Sequence, residues 1–178
     1  MKKIVLAMSF ISAASPAAAG MPDIFSAWWG NVEDTWENPD SYDAYIPVWT
    51  WHNRAAYPPH KYNRYNEEPV GAGFGLTKVK GDVEHSLHMT VFKDSNYYTQ
   101  GAWGYARTDN LWLFSRSLHF GYGFVISAQM RHEYNYVPIP IPLPMLNMGY
   151  KNVFVEAVYV PGWREFGNVM FMWVKIKL

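Results

Sequence analysis

Short segments of alternating apolar and polar residues, separated by turn residues, fill the chain from about residue 44 to its C-terminus. Most of them are close to the 9–11 residues that a tilted strand needs to cross a bilayer. No stretch beyond the N-terminal leader holds the roughly 18 consecutive apolar residues of a membrane-spanning helix. We therefore predict an all-β protein. Its eight predicted strands cover residues 44–56, 69–78, 84–94, 100–107, 116–131, 136–148, 152–160 and 167–177.

One helix is predicted ahead of the strands, at residues 23–38. Its large apolar residues recur at helical spacing on one face, and they are Phe25, Trp29, Val32 and Trp36. Such a helix can lie flat in a membrane interface or pack against a soluble core, and this segment does not distinguish the two.

The first 19 residues have the pattern of a secretory signal peptide. A basic start, Lys2 and Lys3, precedes a short apolar run and the small residues Ala17 to Ala19, which predict cleavage before Gly20. The mature chain, residues 20–178, is then expected to form a single exported domain, consisting of the helix at about 23–38 and a barrel over about 44–178. Without cysteine it forms no disulfides.

The composition favours a membrane environment over a nucleic-acid partner. Basic and acidic residues number 15 each, so we expect no nucleic-acid binding. The 9 Trp, 13 Tyr and 10 Phe are typical of barrels with aromatic belts at both membrane interfaces. The pattern leaves a soluble exported barrel or an outer-membrane barrel.

The barrel interior is predicted to be apolar in part. On the fifth predicted strand one face suits lipid, while the other begins with Gly121 and Gly123, whose missing side chains would leave room. The last strand is apolar on both faces. An apolar lumen of this size could hold one hydrocarbon chain, whereas a tightly packed core is the alternative.

Alternating prolines predict weak places in the wall. Pro138, Pro140, Pro142 and Pro144 occupy every second position of residues 136–146. Each lacks a backbone N–H, and in a strand these missing donors would face the same neighbour. We therefore expect a local slit there. The prolines near the predicted first and second strands indicate another, although some prolines could lie in loops.

Three residues that can act as base, acid and hydroxyl fall at one rim. If odd strands rise, His52 near the end of the first strand and Asp94 and Ser95 at the end of the third share the outer end. Neighbouring strand residues point to opposite faces, so Asp94 and Ser95 can serve one pocket only if the chain leaves strand geometry there. An ordinary solvated loop is the alternative.

Several segments resemble the lipid A palmitoyltransferase (PagP) family. They are TWENPDSYDAYIPVWTWHNRAAY, RYNEEPVGAGFGL, FKDS, YVPIPIPLPMLNMGY, YVPG and GNVMFMW. The resemblance implies an eight-stranded antiparallel outer-membrane β-barrel with an N-terminal amphipathic helix. It implies transfer of a palmitoyl or similar chain from the sn-1 position of a glycerophospholipid to a hydroxyacyl chain of lipid A. It also implies an active site that faces the cell exterior, a monomer among outer-membrane lipids, and no cofactor or metal.

The same resemblance implies roles for individual residues. His52, Asp94 and Ser95 match the family's catalytic residues, with Ser95 either a nucleophile or a ligand for the oxyanion. Gly104 matches the floor of the acyl pocket, and Lys61 matches a residue linked to lipopolysaccharide recognition. Residues implied at the lateral gates are Pro47, Pro69, Pro144, Pro161 and Arg164, the last of which replaces a gating tyrosine.

Two other functions fit part of the sequence. A non-enzymatic outer-membrane barrel, adhesive or structural, would account for the aromatic residues and the signal peptide. It would not account for wall-weakening prolines. A soluble exported barrel that binds a hydrophobic ligand would account for the apolar interior.

Overall fold

A computed structural model describes residues 21–115 and 117–178, in which the strands form a closed antiparallel barrel. Each strand pairs with the next along the chain, and the last pairs with the first. The predicted barrel is confirmed, while the predicted signal peptide at residues 1–19 lies outside the described residues. The strands are β1 Ser41–His52, β2 Gly71–Lys80, β3 Val83–Lys93, β4 Thr99–Ser115, β5 Leu118–Met130, β6 Ile139–Tyr150, β7 Val153–Val160 and β8 Val169–Lys177.

The two ends of the barrel differ. Strands are joined at one end by the longer segments 53–70, 94–98, 131–138 and 161–168, and we call this end the mouth. At the opposite end the connections after β2 and β6 are two residues long. The short helix α2, Pro59–Tyr62, and a 3₁₀ turn, His132–Tyr134, belong to the mouth.

Side chains alternate across the wall as the sequence pattern predicts. On β5, His119, Val125 and Ser127 face inward and are buried, whereas Phe120 and Phe124 face outward. Large apolar residues are exposed around the outer surface on other strands too, and an apolar outer band is typical of a barrel wall in contact with lipid.

Helix α1, Met21–Glu37, packs beside β2 and β3 near the end opposite the mouth. Trp28 meets the ring of Tyr105 edge-on at 5.8 Å between centroids, and Lys80 bonds Asp34 at 2.7 Å. The helix keeps four large apolar side chains exposed, namely Ile24, Phe25, Trp29 and Trp36. This exposure fits a helix lying in a membrane interface better than one buried on a core. No helix among the described residues is long and apolar enough to span a membrane.

Strand β4 is longer than predicted. The prediction that this strand ends at residue 107, before the polar residues 108–110, is wrong, because β4 continues to Ser115. Thr108 and Asn110 point into a polar part of the interior and are buried there. The side-chain amide of Asn147 donates to Asn110 Oδ1 at 3.4 Å, over Gly121 of the intervening strand β5. Polar residues therefore indicated a polar lumen here rather than a break in the strand.

Buried charges fill the half of the barrel away from the mouth. Lys175 is fully buried, lies 2.8 Å from Glu156, and also forms an ion pair with Glu84. Lys177 reaches Glu84 at 2.7 Å, and the indole N–H of Trp173 donates to Glu156 at 2.6 Å. Each charge is thus matched by an opposite one, which is the condition under which buried charges are tolerated.

An apolar layer separates these charges from the mouth. Its members are buried residues that pack together across the lumen, namely Tyr45, Ala106, Val125, Leu143, Met145, Val158 and Trp173. The interior therefore has a charged and polar lower half and a mainly apolar upper half, in which Thr90, Gln100, Ser127 and Gln129 are among the polar residues of the barrel wall.

The glycines of β5 do not create open space. A Cβ at Gly121 would lie 2.4 Å from the side-chain oxygens of Asn110 and Asn147, and one at Gly123 would meet the Arg107 carbonyl. Both positions are glycine because neighbouring groups approach closely, so the expectation that they leave room in the lumen is wrong.

The β6–β7 ladder is incomplete on the side of the mouth. Its register begins at Met145–Val158, although β6 pairs with β5 as far as Ile139. Pro140, Pro142 and Pro144 lie on the stretch without a β7 partner, where their missing N–H groups break no bond. The predicted slit is confirmed.

A second gap lies between β1 and β2. Their register ends at Tyr45–Gly73, and β1 has an irregularity between Pro47 and Trp49 while it continues to pair with β8. Both gaps open in the upper half of the wall, beside the apolar part of the interior.

Replacing Lys175 with methionine should destabilise the barrel. The change would leave Glu156 without its cation and Glu84 with only Lys177, and breaking a buried pair costs about 3–5 kcal/mol. Urea unfolding in detergent micelles, followed by tryptophan fluorescence, would measure the change in the free energy of unfolding. Lys151→Met, at an exposed turn, is the matched control and should change stability by less than about 0.5 kcal/mol.

Candidate functional site

The mouth brings His52, Asp94 and Ser95 to the same end of the barrel. His52 is the last residue of β1, and the chain leaves strand geometry after Lys93, so Asp94 and Ser95 belong to a turn. The predicted rim placement is confirmed, and so is the departure from strand geometry that lets both residues serve one site.

His52 and Ser95 are in direct contact. The Nε2 atom of His52 lies 3.0 Å from Ser95 Oγ. The imidazole is 2 % exposed, stacks on the Tyr65 ring at 4.5 Å, and meets the Tyr57 ring edge-on at 5.4 Å. Two aromatic rings thus fix the imidazole plane with Nε2 directed at the hydroxyl.

Asp94 has other partners. One of its oxygens, Oδ1, accepts the backbone N–H groups of Asn96 at 2.8 Å and Tyr98 at 2.9 Å. The other, Oδ2, lies 3.9 Å from the guanidinium of Arg131. The carboxylate therefore braces the turn that carries Ser95.

Glu67 bonds the remaining nitrogen of His52. Its Oε1 atom lies 3.0 Å from Nδ1 and accepts the backbone N–H of the same residue at 3.2 Å. Arg54 donates to both Glu67 oxygens, at 2.7 and 2.6 Å. Partial burial alone would raise the pKa of the Glu67 carboxyl, but the hydrogen bonds from Arg54 and His52 outweigh it and hold that pKa below its usual value.

Sequence reasoning missed Glu67. It lies 15 residues from His52 in an irregular loop before Pro69, and no periodicity links the two. The only available signal was its place in RYNEEP, at the same end of the barrel as His52.

An apolar cavity of about 430 Å³ descends from the site into the barrel. Its apolar lining includes Phe92, Ala102, Val125, Ile139, Ile141, Leu143, Val158, Val160, Val169, Phe171 and Trp173. The expectation that the inner face of the last strand surrounds an apolar space is therefore confirmed. His52 and Ser95 line the upper part of the same cavity, so a chain held inside would present its end group to them.

Gly104 lies level with the bottom of this cavity. It pairs with His88 on one side and Ser127 on the other, and both partners line the cavity. A Cβ here would lie 2.2 Å from the Ile126 carbonyl oxygen, so a side chain would push against the wall as well as into the lumen.

Lys61 is tied to another loop of the mouth. Its ammonium bonds Glu165 at 2.6 Å, and this hydrogen bond raises the pKa of Lys61 and lowers that of Glu165. The hydroxyl of Tyr57 donates to the carbonyl of Gly167 at 2.6 Å. Segments 53–70 and 161–168 are thus held together above the cavity.

The residues implied at the lateral gates fall near the two gaps. Pro47 lies at the β1 irregularity and Pro69 just before β2. Pro144 is the last β6 residue before the β7 register begins, and Pro161 follows β7 directly. Arg164 is exposed in the loop between β7 and β8.

The arrangement suits acyl chemistry on a long-chain ester. An imidazole is positioned to take a proton from a hydroxyl, directly above an apolar space with room for an alkyl chain.

The chain matches known proteins over most of its length. Residues 31–175 match the family described as antimicrobial peptide resistance and lipid A acylation protein PagP. Proteins named lipid A acyltransferase PagP from Proteus mirabilis and Serratia proteamaculans are 43% and 40% identical, covering 84% and 89% of this chain and 73% and 82% of their own. One from Citrobacter koseri is 38% identical over 99% of this chain and 97% of its own.

Filling the cavity should shorten the alkyl chain that it accepts. Ala102→Leu adds three carbon atoms to the lining, and each displaced methylene forfeits ~0.8 kcal/mol, so affinity for the longest chain should fall by roughly 2 kcal/mol. Competition between single-chain lipids of increasing length and a fluorescent acyl probe would measure it. Ala72→Leu, on the exposed outer face, is the control, and an equal loss in both variants would contradict the assignment of the cavity.

Proposed function

Because the chain belongs to the PagP family of lipid A acylation proteins, we propose that this acyltransferase moves a palmitoyl or similar chain from the sn-1 position of a glycerophospholipid to a hydroxyacyl chain of lipid A. The observation that carries the proposal is the contact between His52 Nε2 and Ser95 Oγ, 3.0 Å, at the top of an apolar cavity.

The protein acts as a monomer in the bacterial outer membrane, with the mouth facing the cell exterior. Exposed apolar residues around the wall and the apolar face of α1 support the placement in a membrane. The predicted signal peptide would direct export.

The donor enters sideways. A phospholipid in the outer leaflet would pass its acyl chain through one of the two wall gaps, flanked by Pro47 and Pro69 or by Pro144 and Pro161. With lateral entry the headgroup stays at the membrane surface, and only the acyl chain moves, from the bilayer into the cavity. Arg164, exposed in the loop that follows β7 beside the gap between β6 and β7, would meet headgroup phosphate there.

Bound in the cavity, the donor ester lies at the level of His52 and Ser95. Gly104, level with the lower end of the cavity, has no side chain to shorten it, so the chain end can descend to that level. Burial of the chain then holds the ester carbonyl within reach of His52 and Ser95. This raises the rate by positioning the reacting groups and does not depend on the strength of the base.

His52 acts as the general base, and the contact with Ser95 supports the serine as nucleophile. Ser95 Oγ attacks the ester carbonyl carbon and passes its proton to His52 Nε2. The lysophospholipid oxygen then leaves with that proton, which gives an acyl-Ser95. A lipid A hydroxyl attacks this ester, its proton passes to His52, and Ser95 Oγ recovers the proton as it leaves.

A direct transfer is the alternative route. In it the lipid A hydroxyl occupies the place beside Nε2 and loses its proton to His52, while Ser95 donates to the developing oxyanion. Both routes use the same base and the same cavity, and they differ in whether an acyl-enzyme forms.

The acceptor would be recognised by cations of the mouth. Lys61 and the exposed Arg64 lie on the segment that covers the cavity, and lipid A is an anionic partner. Binding of a phosphate at Lys61 would replace its bond to Glu165, since both ligands are anions competing for one ammonium.

Lipid A from cells with and without the protein tests the proposal. Mass spectrometry should show a gain of one acyl chain only when the protein is present. His52→Asn removes the base and should abolish the gain while the barrel still folds, as shown by heat-modifiable migration on gels. An unchanged amount of acylated lipid A in His52→Asn would contradict the assignment of the base.

The role of Ser95 is tested on the purified protein with donor alone. We expect a mass increase equal to the transferred acyl group, lost on hydroxylamine treatment and absent in Ser95→Ala. Ser95→Ala should also lower the transfer rate on the order of 10²-fold or more. If the wild-type enzyme transfers acyl groups to lipid A but forms no acyl-Ser95 with donor alone, the result would favour the direct route.

A further inference from the structure

We propose that Glu67, and not Asp94, is the positioning carboxylate of His52, so that the functional unit at the mouth is Ser95, His52 and Glu67. The inference rests on the proposed acyl-transfer site. It assigns a role to a residue that neither composition nor motif spacing identified.

Both ring nitrogens of His52 are accounted for by this unit. Nε2 faces Ser95 Oγ at 3.0 Å, and Nδ1 faces Glu67 Oε1 at 3.0 Å. An ionised carboxylate can only accept hydrogen bonds, so the proton of the neutral ring must be on Nδ1. Nε2 is then left as an acceptor, which is the state in which it can take the proton of Ser95.

Glu67 is itself held in place. Arg54 donates to both of its carboxylate oxygens in a two-pronged pair, at 2.7 and 2.6 Å. Its backbone carbonyl accepts the N–H of Thr50 at 2.9 Å, which fixes the loop against β1 beside His52. The carboxylate therefore cannot turn away from the imidazole without breaking both bonds to Arg54.

Asp94 does not orient the ring in this geometry, because the two nitrogens of His52 face Glu67 and Ser95. Its Oδ1 atom accepts the N–H groups of Asn96 and Tyr98, and its Oδ2 atom lies 3.9 Å from the guanidinium of Arg131 without a hydrogen bond. Asp94 shapes the turn that presents Ser95, and Glu67 orients the base that Ser95 contacts. The hydrogen bond between His52 and Ser95 thus depends on two carboxylates, one that orients the histidine and one that shapes the turn of the serine.

The test uses Glu67→Ala in the full-length chain, purified in detergent. We expect kcat to fall on the order of 10²- to 10⁴-fold, with KM for the phospholipid nearly unchanged, because the acyl cavity is untouched. Formate should restore part of the rate, since Glu67 is partly exposed and a small carboxylate can reach the vacated place beside Arg54. Glu68→Ala, at the exposed neighbouring acid, should keep the wild-type rate.

A second readout does not depend on activity. The ¹⁵N shifts of the His52 ring, assigned by their absence in His52→Asn, should report the Nδ1–H tautomer in the wild type and a mixture of tautomers in Glu67→Ala. In Asp94→Asn the Nδ1–H tautomer should persist even if the rate falls.

The outcomes separate the two proposals. A wild-type rate and an unchanged tautomer in Glu67→Ala would overturn the role of Glu67, as would a change of tautomer in Asp94→Asn alone. If the wild-type protein transfers no acyl group, the proposed function fails, and the tautomer measurement by itself still decides whether Glu67 orients His52.

Discussion

The backbone pairing of the wall is the constraint on which the rest of this structure depends. Each strand must satisfy its N–H and C=O groups against two neighbours, and closure of β8 onto β1 removes the free edges that an open sheet would have. Proline cannot join such a ladder as a donor. The alternating prolines of β6 therefore lie where pairing to β7 is absent, and the same residues that weaken the wall define where it can open.

The interior has two halves that differ in polarity and in function. Below the apolar layer around Tyr45 and Trp173, the cluster of Lys175, Glu84 and Glu156 fills the lumen with matched charges. Above it lies a cavity whose lining is mainly apolar, with a few polar side chains such as Ser127 and Gln129. Since both gaps open at the upper level, an alkyl chain that passes through the wall meets the apolar half and is kept from the charged one.

The proposed site is assembled from three segments that are far apart in the chain. β1 ends in His52, the turn after β3 carries Ser95, and the loop before β2 supplies Glu67. The ends of β1 and β3 fix His52 and Ser95 at one rim with little freedom. Glu67 belongs to a loop, and its position depends on the ion pair with Arg54 and on the hydrogen bond from the Thr50 N–H to its backbone carbonyl. An exact hydrogen-bond geometry on the base is thus imposed by contacts between loops on a rigid frame.

The sequence by itself determined the strands, the alternation of inward and outward faces, the weak places at the prolines, and the shared rim of His52, Asp94 and Ser95. These properties are local or follow from counting strands, because side-chain period and missing N–H groups act wherever the chain is extended. Only the tertiary structure decided that Gly121 and Gly123 admit close neighbours, that residues 107–110 continue β4, and that Glu67 rather than Asp94 meets the imidazole. Each of these depends on which groups face one another across the lumen or between loops. Such distances are set by closure of the barrel and by loop contacts, and no spacing along the chain encodes them.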